Sequence, residues 1–108
     1  MNKSERIAYL KDAIQESPED PFAFYALCLE EQDTLDPAQL IVKWNEVLTL
    51  FPDYLPSYYQ AAKINQEGNQ KETAIDILKK GIQLALKQQE HHALTELKSF
   101  LQNILIED

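Results

Sequence analysis

Thirty-four residues separate Pro18 from Pro52, and the same interval joins Phe24 to Tyr58, Leu27 to Ala61, Leu40 to Ala74, Val47 to Gly81 and Leu50 to Leu84. A period of that size marks an internal repeat. One such unit cannot bury an apolar face alone, so a helix pair in each copy must stack on the pair in the next. The chain is therefore expected to be an all-α solenoid of antiparallel helix pairs, built to bind something that the repeat itself does not name.

Composition fits one such domain over residues 1–108. The chain has 44% hydrophobic and 26% charged residues and only two glycines, a balance typical of a folded helical protein. No apolar run approaches the roughly 18 residues needed to span a bilayer. Charges at Lys3, Glu5, Arg6, Lys11 and Asp12 leave the start without an apolar signal stretch, so a cytoplasmic location is expected. A net charge of −8 argues against nucleic acid and anionic membranes as partners and favours a basic or neutral one. The single cysteine, Cys28, cannot form an internal disulfide and reads as a small buried residue.

Helix signals fall where a pairwise repeat needs them. Ser4 is expected to cap a first helix over about 4–17, with Ile7, Leu10, Ala13 and Ile14 on one face. Asp20-Pro21 and Asp36-Pro37 open helices at about 20–33 and 37–51, because proline at the first helical position lacks the N–H that would go unpaired there. The second of these carries Leu40, Ile41, Trp44, Val47, Leu48 and Phe51. A fourth helix, about 55–67, ends at Gly68-Asn69, and Asn69 with Glu72 has the form of a capping box for a fifth at 70–88. Strict counting would then place His92, Thr95, Glu96 and Ser99 in the core. The stripe Leu94, Leu97, Leu101 and Ile104 instead predicts a shifted register, with about two extra residues between Gln88 and His92, and a last helix at 91–106.

The pattern resembles the tetratricopeptide repeat family. Residues 21–54 supply Phe24, Leu27, Cys28, Leu40, Trp44, Val47 and Pro52, and residues 55–88 supply Tyr58, Ala61, Ala62, Ala74, Leu78, Gly81 and Leu86, at that family's alternating large and small positions. Residues 1–20 resemble the second half of a preceding unit, and 89–108 a capping helix. The resemblance implies a right-handed α-α superhelix whose first helices line a concave groove. Carried over residue by residue, that groove is lined by Phe22, Tyr25, Leu29 and Gln32 in one repeat and by Pro56, Tyr59, Lys63 and Gln66 in the next. His92, Thr95 and Ser99 continue the row if the register shift is right. A protein or peptide segment is the implied occupant.

Two other readings compete for the same residues. Phe22, Tyr25 and Leu29 could be covered by the first helix or by a second copy of the chain, making the groove a homodimer interface. Some family members clamp acidic carboxyl termini through several cations, but Tyr25, Leu29 and Gln60 occupy three of those places here and only Lys63 lies nearby, so that mode is not expected. Catalytic, cofactor-binding and metal sites are not expected either. His91 and His92 point about 100° apart on a helix, and His92 with Glu96 supplies only two ligands. The Glu30, Glu31, Asp33 and Asp36 run lacks calcium-loop spacing, and Cys28 at a helix-packing position should be inert. A non-catalytic adaptor is the expected function.

Overall fold

The structure, a computed structural model, describes residues 1–107. Among the described residues there are six helices and no strand: α1 (Lys3–Glu16), α2 (Pro21–Glu31), α3 (Pro37–Leu50), α4 (Pro56–Glu67), α5 (Lys71–Gln88) and α6 (His91–Ile106). Each helix packs mainly against its neighbours in the sequence, most closely along α3, α4, α5 and α6 and most sparsely between α2 and α3. The result measures 41 × 31 × 23 Å with a radius of gyration of 14.3 Å, above the ~13 Å of a compact globule of about this length. Elongation follows from stacking in one direction.

The caps explain the boundaries. Asp20 accepts the Phe22 N–H at 3.0 Å, and Asp36 accepts the Gln39 N–H at 2.9 Å while the Gln39 side chain accepts from the Asp36 N–H, so both Asp-Pro starts behave as expected. Two expectations are corrected. Asn2, not Ser4, caps α1: its side chain accepts the Glu5 N–H at 2.9 Å and Glu5 reaches back to the Asn2 N–H at 3.2 Å, closing a capping box two residues earlier. Asn69 does not cap α5. It takes the left-handed conformation at φ 63°, where its short polar side chain is tolerated, and reverses the chain while the Gln70 N–H bonds to the Asn65 carbonyl at 2.8 Å. α5 begins after Gln70 without a side-chain cap.

The connection between α5 and α6 shows what proline had been doing. Pro52 follows closely on α3, whereas Leu86 permits α5 to run on to Gln88. Gln89 then adopts φ 58° and the Glu90 N–H bonds back to the Ala85 carbonyl at 3.0 Å, so the turn is short. α6 settles in the shifted register: Leu97 and Ile104 are buried, Leu94 and Leu101 half-buried, and His92, Thr95, Glu96 and Ser99 exposed.

The core runs through the stack as large residues set against small ones. Trp44, Leu78, Ala61, Ala62 and Ala74 are fully buried, and Cys28, Val47 and Tyr58 nearly so. Gly81 lies so close to α4 that an added Cβ would stand 2.9 Å from Tyr58 Cβ. α1 differs from the rest. None of its residues is buried, and it is tied to α2 by Arg6 to Glu30 at 2.7 Å and to the turn beyond α2 by Lys3 to Asp33 at 3.2 Å.

Candidate functional site

Tyr58 and Tyr59 are adjacent, so on a helix they point about 100° apart. Tyr58 turns inward, its hydroxyl donating to the Pro52 carbonyl at 2.6 Å, while Tyr59 turns toward α6 and packs on Phe100 with ring centroids 5.1 Å apart. On α2, Tyr25 meets Trp44 edge-on at 5.6 Å and Tyr54 at 5.7 Å. Between these two clusters lies a hollow of about 660 Å³ that brings together α2, the α3–α4 turn, α4 and α6. Tyr25, Tyr54 and Tyr59 supply its aromatic walls, and Leu55, Pro56, Ala93 and Leu97 its apolar floor. Asp53, Glu90 and Glu96 stand around it, with the amides of Gln60 and Gln88. Gln88 also pins the turn by donating to the Asp53 carbonyl at 2.9 Å.

Burial raises the Tyr25 and Tyr54 hydroxyls above the usual tyrosine range, and for Tyr54 the neighbouring Tyr25 and Asp20 add to the effect. Both therefore remain protonated near neutral pH and present O–H groups to an occupant. Beyond the Tyr59–Phe100 pair a second hollow, about 440 Å³, is lined by Gln66, Thr95, Ser99, Phe100 and Asn103. Tyr59 and Glu96 border both hollows.

The eleven groove residues read from sequence thus fall into several places. Tyr25, Pro56 and Tyr59 share the larger hollow, and Tyr59, Gln66, Thr95 and Ser99 share the smaller. Phe22, Leu29, Gln32, Lys63 and His92 line neither. Phe22 is 56% exposed on the first turn of α2, and Leu29 packs against the core. Gln32 lies at the far end of α2 beside Leu35 and Ile64, Lys63 is exposed, and His92 points outward with Nε2 3.0 Å from Glu96 Oε1. Asp53, Tyr54 and Glu90 were missed by the sequence reading because they lie in turns, outside the helical period. An aromatic residue between Pro52 and Pro56 was the available signal for Tyr54.

Burial pushes the Cys28 thiol up to about 11, so it is protonated at neutral pH. Among the described residues no group of three or more His, Cys, Asp or Glu could hold a metal ion, and no helix is long and apolar enough to cross a membrane.

No family model matches the chain, and no curated protein matches it. Solved structures do. A solution structure of a tetratricopeptide repeat domain protein from Salinibacter ruber is 28% identical, with a TM-score of 0.74 over 82% of this chain and 89% of that one. A crystal structure of a tetratricopeptide repeat domain protein from the same organism is 26% identical, with a TM-score of 0.76 over 82% of this chain and 100% of that one. The fold is typically a non-catalytic interaction scaffold, and it points in general terms to protein binding. With its repeat spacing, its paired helices and these neighbours, the chain has the fold of tetratricopeptide repeat domain proteins.

Proposed function

We propose that this chain is a non-catalytic adaptor that holds a segment of a partner protein in the hollow between α2, α4 and α6. The observation that carries this reading is the hollow itself: about 660 Å³, walled by three tyrosines from separate parts of the stack. That volume lies within the roughly 300–1,000 Å³ of ordinary ligand sites. Tyrosine buries much area for little lost freedom, and its hydroxyl fixes orientation, which suits a binding surface. The smaller hollow, about 440 Å³, adjoins the larger at Tyr59 and Glu96 and extends the surface along α6, which suits a segment rather than a single group.

A photocrosslinking phenylalanine analogue in place of Tyr59, and separately in place of Val42, tests this. Val42 is 64% exposed on α3 and lines neither hollow. The expected outcome is a discrete partner crosslinked from position 59 and not from position 42. Crosslinks from position 42 alone would move the binding face elsewhere.

Self-association is the second reading. Leu105 and Ile106, 53% and 71% exposed, extend the half-buried Phe100 and Leu101 at the α6 end of the stack, where no further helix covers them among the described residues.

A further inference from the structure

The larger hollow has a chemical bias that the repeat fold does not require. Its walls carry the carboxylates of Asp53, Glu90 and Glu96, and among the described residues no lysine or arginine lines it. Among the described residues, Asp53 and Glu90 form no ion pair or side-chain hydrogen bond, and Glu96 has the outward His92 as its one partner. The hydroxyls of Tyr25, Tyr54 and Tyr59 also bond to no protein group among these residues, in contrast with Tyr58. Acceptors and aromatic faces are left open together.

The spacing narrows the occupant. These carboxylates do not converge on a point that could hold a metal ion. A cation that suits them must be extended, must stack on tyrosine and must carry several donors. A guanidinium does all three: it is planar, it lies favourably over aromatic faces, and it has five N–H donors in a fixed fork. The apolar floor of Leu55, Pro56, Ala93 and Leu97 suits the methylene stem that carries it. A net charge of −8 would draw a basic segment toward this surface.

We propose that the hollow receives an arginine side chain from a basic segment of the partner, between Tyr25, Tyr54 and Tyr59 and facing Asp53, Glu90 and Glu96. This rests on the protein-binding reading above and specifies the chemistry of the segment bound.

The test is a titration of the ¹⁵N-labelled full chain with a capped peptide alternating glycine and arginine, and with the same peptide carrying citrulline, which keeps the shape and removes the charge. Two isosteric double variants accompany it. Asp53→Asn with Glu90→Gln removes two of the hollow's three carboxylates; Asp12→Asn with Glu16→Gln removes the same charge from exposed positions on α1. Expected are amide shifts centred on Tyr25, Tyr59 and Ala93, binding about tenfold weaker for citrulline and for the hollow variant, and a change within about twofold for the α1 variant. If citrulline binds the same residues equally well, the arginine assignment fails while the groove reading stands. Shifts spread over the surface and weakened alike by both variants would reduce the effect to diffuse attraction and overturn the proposal. No shift with either peptide also overturns it, and the crosslinking experiment then decides separately whether the groove binds protein at all.

Discussion

Replacing Gly81 by alanine sets two opposed effects of known size against each other. Gly81 lies inside α5, where alanine is favoured over glycine by roughly 0.8–1 kcal/mol because it restricts the unfolded chain and suits the helix. The added methyl, however, would stand 2.9 Å from Tyr58 Cβ, 3.2 Å from Tyr58 Cγ and 3.3 Å from Leu97 Cδ1. Tyr58 cannot swing aside, since its Cβ is fixed to the α4 backbone and its hydroxyl is held by the Pro52 carbonyl. α4 must move away from α5, and overpacking of this kind costs about 1–3 kcal/mol. Packing outweighs propensity, leaving a net loss of roughly 1 kcal/mol, or about 4 °C or more in Tm for a domain near this size. Gly68→Ala is the internal control. There the close atom, 2.6 Å away, is the Ile41 Cδ1 methyl at the end of a half-buried side chain, and the backbone φ of −90° suits any residue. That variant should be neutral or slightly stabilising. Thermal unfolding of both variants decides the matter: a Gly81→Ala protein at least as stable as the parent would refute close approach of α4 and α5 as the reason for glycine.

Other consequences can be measured with little effort. Cys28, buried with its thiol pushed up to about 11, should resist a water-soluble thiol reagent in the native protein at neutral pH and react fully on unfolding. Gln89→Gly should raise stability by about 0.5–1 kcal/mol in denaturant melts, because a left-handed φ of 58° is strained for glutamine and free for glycine. Amide exchange should be fastest in α1, which buries no residue, and should quicken with added salt or with Arg6→Ala as the tie to Glu30 weakens, while α4 and α5 stay protected.

The architecture was legible because helix pairing leaves a periodic trace. Small residues recur where helices cross, as at Cys28, Ala62, Ala74 and Gly81, and Asp-Pro marks two starts by capping chemistry that needs only neighbouring residues. The errors came where several polar residues could fill one local role. Asn2 and Ser4 can both cap, and Asn69 can cap or turn left-handed; the choice depends on how the preceding helix ends. The binding face was less legible. Sequence spacing placed Tyr25 and Tyr59 on equivalent helices, but their shared hollow is completed by Asp53, Tyr54 and Glu90, whose positions are set by turn geometry. Periodicity also could not tell that Leu29 would be drawn onto the core or that His92 would face outward.

Whether the hollow is open to another protein or closed by a second copy of the chain is tested most directly by the solution mass. Light scattering from micromolar to millimolar should give a constant 12.5 kDa monomer, leaving the tyrosine walls free for a partner. A dimer that forms with rising concentration and is weakened by Tyr59→Ala would contradict the account, since the surface assigned to a partner would then be the interface between two copies.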